Sequence, residues 1–332
     1  MRYSLLHRVR GAFLGAFLGE RLSHSNSFNL GKIAVLGTES LISLGGLDID
    51  DWLKRQQQAG IKLETNINSW GQIILATLPV AIFFHDDIEK MRANILEVQR
   101  IYNCPDEVIV RDASLIMGYA IAQSLTEKLN PSTLISETIN FLGQTSTYLP
   151  EQLIKVNDLL KTAASLDIAV SELSSPEKLT SNIGLAVYCF LSTLEDFSLT
   201  VLRASRNHGG DNQNVISAIT GALSGAYNST MGIPVNWQIS ASVSNSGLWG
   251  LESFTQILRL ADKMIGMWAG VYDWSDDFGE FLETRYTIFA APDIIRRYQI
   301  KNLYSNIAGN REQGTGNREQ GTELKFLRCM VF

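Results

Sequence analysis

Apolar residues recur at three- and four-residue spacing through most of the chain, the period of a single buried helical face. After Pro150 the series runs Leu153, Val156, Leu159, Leu160 and Ala163, and later Ile257, Leu258, Ala261, Met264, Ile265 and Trp268 repeat it. Each series predicts an amphipathic helix whose opposite face is left to water. Turn residues punctuate the pattern. Gly45-Gly46 predicts a helix end, Asp48 or Asp50 the cap of the next helix, and Asn130-Pro131-Ser132 a break between two more. Alternation of period two is scarce, with residues 238–243 the only weak strand candidate. The expectation is an all-α fold of about a dozen packed helices. No Pro-, Gly- or Ser-rich linker divides the first 300 residues, so residues 1–305 read as one domain.

The end of the chain follows a different rule. Residues 309–315 read Gly-Asn-Arg-Glu-Gln-Gly-Thr, and residues 316–322 repeat them without a change. A heptad with no apolar position cannot form a coiled coil, and a segment that buries nothing cannot offset its ordering entropy. Residues 306–332 are therefore expected to form a low-complexity tail without a fixed structure.

Composition narrows the functional classes. The 332 residues are 45% hydrophobic and 19% charged, which suits a large core. Lys and Arg number 28 against 34 Asp and Glu, a net charge of −6, so no basic surplus is available for a phosphate backbone and nucleic acid is not an expected partner. Cys104, Cys189 and Cys329 are too scattered for a disulfide framework or a four-ligand zinc site; reduced thiols and a cytoplasmic location are expected. The longest strongly apolar run, residues 73–84, is interrupted by Thr77 and Pro79 and is shorter than the ~20 residues of a bilayer span. No membrane partner is expected. Arg2, Arg8 and Arg10 before an apolar run resemble a leader, but Glu20-Arg21 follows and no A-x-A site does, so export is not expected.

Two helices carry glycine stripes. Gly11, Gly15 and Gly19 stand at four-residue spacing within residues 10–22, and Ser217, Gly221 and Gly225 do the same within residues 212–227. Each glycine costs a helix about 1 kcal/mol relative to alanine, so a stripe needs a compensating close approach. Either the two helices pack at short separation, or a ligand lies against the backbone. Just before the second stripe, His208-Gly209-Gly210-Asp211 brings an acidic residue to a helix start, where amide groups and the helix dipole gather. Asp211 is a helix cap in one reading; in the other it binds a metal or orients water while nearby amides hold a phosphate.

These segments resemble the ADP-ribosylglycohydrolases. Arg10-Gly-Ala-Phe-Leu-Gly-Ala-Phe-Leu-Gly19-Glu20 is similar to their opening helix, which ends in Gly-Asp. Residues 197–237 are similar to their closing signature through Gly209-Gly210-Asp211, the stretch from Ala218 to Tyr227, then Ile233-Pro234 and Trp237. Weaker similarities lie at Glu39-Ser40-Leu41 and at Leu78-Pro79 after Trp70-Gly71. The resemblance implies an all-α fold and a cleft in which two Mg²⁺ ions position an ADP-ribosyl group and activate water.

The metal ligands that the resemblance implies are mostly replaced. Where the family reads Gly-Gly-Asp-Thr-Asp-Thr, this chain has Gly209-Gly210-Asp211-Asn212-Gln213-Asn214, leaving one carboxylate. Where the family reads Thr-Asp-Asp-Thr, Phe28-Asn29-Leu30-Gly31 contains no acid. Glu20 stands in place of the first aspartate, and Tyr102-Asn103 before Pro105 in place of a Thr-His pair. Neutral amides keep oxygen donors but lose the charge that holds a divalent cation against its hydration. The implied site consists of Asp211 and Glu20 as catalytic candidates, with Asp211 also the metal ligand. Gly19, Asn29, His208, Gly209, Gly210, Gln213 and Asn214 are the ligand-binding candidates.

Three functions follow as expectations. The first is a catalytically impaired family member that keeps an ADP-ribose-like ligand or ADP-ribosylated protein as partner. The second is an active glycosidic-bond hydrolase with an atypical metal site. The third is a helical interaction module whose cleft is filled, with Phe28 and Leu30 pointing into it. Other constellations read as structural: His85-Asp86-Asp87 as a solvated helix boundary capped by Asp87, Asp273, Asp276 and Asp277 as a solvated turn, and Cys189 as core. No Gly-x-Ser-x-Gly element supports serine chemistry.

Overall fold

Asp48, Asp87 and Asp196 each stand one residue before a helix and accept a backbone N–H from three residues ahead, at 2.9 Å in every case. Such caps each contribute about 1 kcal/mol and set where a helix begins. At the other end, Gly45 closes a helix with φ of 70°, the left-handed conformation that glycine adopts without strain. Pro79 and Pro150 lie in first turns, where no N–H is required.

The structure is a computed structural model that describes residues 3–23, 29–61, 69–102, 107–206, 213–243, 248–251 and 253–271. Among these residues it contains fifteen α-helices, two short 3₁₀ turns and no strand. The helices are α1 (Leu5–Leu22), α2 (Lys32–Leu44), α3 (Ile49–Gln58), α4 (Ser69–Ala76), α5 (Leu78–Phe83), α6 (Ile88–Arg100), α7 (Glu107–Leu125) and α8 (Leu134–Leu142). They continue with α9 (Leu149–Lys161), α10 (Leu166–Glu172), α11 (Lys178–Ser192), α12 (Phe197–Ser205), α13 (Gln213–Asn228), α14 (Val235–Val243) and α15 (Phe254–Trp268). The expected all-α architecture is present. Residues 238–243 are helical rather than extended; Pro234 precedes the helix, and alternation over so few positions does not separate a strand from a helix.

The antiparallel pair α1 and α13 forms the axis of the fold. A methyl group at Gly11, Gly15 or Gly19 would overlap the carbonyl oxygens of Gly225, Gly221 and Ser217 respectively, so the stripes let two backbones touch. Of the two readings of the stripes, close helix packing is what the structure contains. Helices α7, α11, α12 and α15 pack around this pair, and α2, α4 and α5 extend the core on one side. Helix α7 is long and apolar enough to span a bilayer by length and composition, which the shorter run at residues 73–84 had concealed, yet 78% of its window is buried inside the bundle. The tandem repeat and the turn containing Asp273, Asp276 and Asp277 lie outside the described residues.

Asp87 caps α6 and Cys189 is core, as expected, but His85 departs from the expected solvated boundary. His85 is buried, with Nδ1 2.7 Å from the Ile82 carbonyl and its ring 5.0 Å from that of Trp268. Burial pushes its pKa below the usual histidine value, so it sits as a neutral core residue. Cys189 is likewise buried, and desolvation raises its thiol to about 12, a value that makes it inert.

Candidate functional site

Gly19 and Glu20 are consecutive residues near the end of α1, and they meet different surroundings. Gly19 is sealed against α13 at Ser217. Glu20 turns toward the start of α2, where Oε1 accepts the Leu30 N–H at 2.9 Å. That amide belongs to the residue before the Gly31 N-cap of α2, where the positive dipole end of the helix favours a carboxylate. The other Glu20 oxygen, Oε2, accepts the Trp249 indole N–H at 2.6 Å. The residue is only 4% exposed. Burial raises its pKa above the ordinary glutamate value, while the bonds from Trp249 and the amides of Leu30, Gly31 and Asn29 pull it back down.

Trp249 is the residue that the sequence reading passed over. It lies on the short 3₁₀ turn Leu248–Gly250, far from Glu20 along the chain, and its side chain is 0% exposed. The indole lies over Gly31 so closely that a methyl group there would overlap the ring. The Phe17 ring meets it edge-on at 5.7 Å and 82°. The Trp249 backbone N–H donates to Asn29 Oδ1. Both Trp249, at φ of 62°, and Asn29, at φ of 52°, adopt left-handed backbone that non-glycine residues seldom take. The only sequence trace of this arrangement is a tryptophan between Gly247 and Gly250, outside any helical period.

Of the candidate site residues, Gly19, Glu20, Asn29, Gln213 and Asn214 are described, and His208, Gly209, Gly210 and Asp211 lie outside the described residues. Glu20 and Asn29 are brought together, but around Trp249 rather than around an open cleft. Leu30 is fully buried, with Cδ2 beside Gly71 next to the Val215 side chain; Phe28 lies outside the described residues. Asn214 is buried at the start of α13. Gln213 buries its Nε2 without a hydrogen-bond partner. Tyr102, aligned by resemblance with a Thr-His pair, is a core residue whose hydroxyl accepts from Gln56 Nε2 at 2.7 Å.

A pair of magnesium ions requires several charged oxygen ligands converging within coordination distance. Here both Glu20 oxygens and Asn29 Oδ1 accept N–H donors, and Gln213 presents an orphaned donor, the polarity opposite to what a cation needs. Among the described residues no three Asp, Glu, His or Cys side chains gather. Among the described residues this donor set does not fit two hard cations; Asp211, the candidate metal ligand, lies outside them.

The family model described as ADP-ribosylglycohydrolase matches residues 32–273. The match begins at the first residue of α2, so the place of α1 in the same fold rests on its packing against α13. No curated protein matches the chain.

Proposed function

The chain belongs to the ADP-ribosylglycohydrolase family, and we propose that it is a pseudoenzyme of that family, one that has given up two-metal hydrolysis while keeping affinity for an ADP-ribose-type ligand. The observation that carries this reading is the commitment of Glu20: each carboxylate oxygen is bound by an N–H donor, and Trp249 fills the space over Asn29-Leu30-Gly31. That segment aligns by resemblance with the first metal motif of a family that is typically metal-dependent. A phosphate-bearing ligand needs N–H donors rather than metal-binding acids, and the Gly209-Gly210-Asp211 sequence is the part of the chain that the resemblance offers for it. Free ADP-ribose and ADP-ribosylated protein are the proposed partners, in a reducing, cytoplasmic setting consistent with the inert, buried Cys189.

Titration calorimetry of ADP-ribose with and without Mg²⁺, joined to hydrolysis assays on ADP-ribosyl-arginine and ADP-ribosyl-serine peptides, tests the proposal. The expected result is magnesium-independent binding without turnover. Magnesium-dependent turnover that disappears in Asp211→Ala overturns it in favour of an active hydrolase. The burial of Leu30 and Trp249 favours a second reading, a helical interaction module with a closed cleft. Absence of both binding and turnover selects that reading.

A further inference from the structure

A helix at a protein surface normally turns its aliphatic residues inward and its charged residues to water. Helix α14 does the reverse. Among the described residues, three of the four most exposed large apolar side chains are Met231 (71%), Val235 (68%) and Ile239 (58%), spaced four residues apart from the 3₁₀ turn Thr230–Gly232 into α14. The helix is held from its other side, where the Trp237 ring meets Phe197 of α12 at 6.1 Å, and Gln238 Nε2 ties it to the preceding turn by donating to the Ile233 carbonyl at 2.9 Å. Helix α12, reached through that ring contact, adds exposed Leu199 and Leu202.

We propose that this face is covered by a second copy of the chain, with α14 packed against its own image across a two-fold axis. The argument is one of charge. Charged residues make up 19% of the chain, yet none occurs between Asp211 and Glu252, and none between Asp196 and Arg203. A two-fold contact sets residues near their own images, so a charge close to the axis faces its like. A protein of net charge −6 therefore associates with itself most readily through a surface that carries no charge. A different partner is selected by opposite charges around an apolar centre, and residues 197–202 and 230–243 contain none to offer. Asn236, exposed beside Val235, has both a donor and an acceptor and so complements its own image. A membrane surface suits α14 less well, because interfacial helices carry Lys or Arg on the polar side and α14 has neither. Side chains four residues apart form the ridge that a second helix receives in its groove. This inference goes beyond the pseudoenzyme reading, and its test contains neither ADP-ribose nor a hydrolysis assay, so the two stand or fall separately.

Sedimentation velocity of the full chain from about 1 to 100 µM tests the proposal. A reversible dimer is expected, weakened at least about tenfold by Val235→Glu and by Val235→Lys, since each brings like charges together across the axis. Val235 is exposed in the single chain, so neither substitution removes a core contact. Mixing the two variants is expected to restore dimers, because opposite charges then meet. A wild-type dimer indifferent to both substitutions, or a mixture no more associated than either variant alone, overturns the proposal. A wild-type monomer at every concentration overturns it as well. In that case a thermal midpoint lower in Val235→Glu than in wild type assigns the face to the chain's own residues 326–332, which are mostly apolar, and an unchanged midpoint assigns it to a different protein.

Discussion

Along one face of α1, Gly11, Gly15 and Gly19 lie against the backbone of α13, whereas one residue further on Glu20 reaches a fully buried tryptophan from the far side of the sequence. The first contact exists because side chains are missing on both helices. The second exists because the largest side chain in the protein alphabet has been placed over a glycine. Backbone-to-backbone packing leaves nothing that can move aside, so the seam is rigid and tolerant of no addition. A side chain on a short turn fills space just as fully, held here by its bond to Glu20 and by packing against Gly31 and Phe17.

The comparison predicts a graded set of effects. Adding a side chain to the seam, as in Gly221→Leu, forces two backbones apart and is expected to cost about 3 kcal/mol or more, at the upper end of overpacking, read as a lower urea midpoint. Trp249→Ala is expected to cost about 2 kcal/mol, less than the ~3–5 usual for a buried tryptophan, because a short turn can settle into the space left. A loss as large as that of Gly221→Leu would show that the space stays open. Glu20→Gln turns an amide N–H₂ toward one of the two donors and is expected to cost about 1–2 kcal/mol by the same measurement. Asp87→Ala removes a cap remote from both regions and should cost about 1 kcal/mol, leaving the Trp249 contact unchanged.

The smallest effect is a pH dependence. The Glu20 pKa is raised in the folded state, mainly by burial, so its contribution to stability is greatest at acidic pH, where the group is protonated whether folded or not. As pH rises above the unfolded value of 4.5, the unfolded chain releases the proton first, and stability declines until the folded pKa is passed. The difference between wild type and Glu20→Gln, measured by urea unfolding from acid to neutral pH, should therefore carry a slope that ends above that window. A flat difference would mean that the donors around Glu20 fully compensate its burial.

The residues that were legible in the sequence act through near neighbours. Asp87, Asp48 and Gly45 do their work within one helical turn, so cap chemistry announces them. The glycine stripes are also legible, since a repeated cost to helix stability implies a repeated contact, although the partner helix is named only by the matching stripe. Glu20 is legible as a buried-carboxylate candidate at the end of the glycine stripe, but its partners are not, because a carboxylate in a metal centre and one held by amide and indole N–H groups look alike in sequence. Gln213 and Asn214 were placed at the start of α13, yet the missing partner of the Gln213 amide became visible only once its surroundings were packed.

What the sequence determined by itself is the helical period, the stops and caps and the two smooth faces, all of them local or counted properties. Tertiary structure alone decided that Trp249 closes over Gly31 and binds Glu20, two residues separated by most of the chain. The physical reason is range. Helix formation and capping are settled by bonds between residues three or four apart, while the filling of a cavity depends on which distant side chain the finished bundle brings to its mouth.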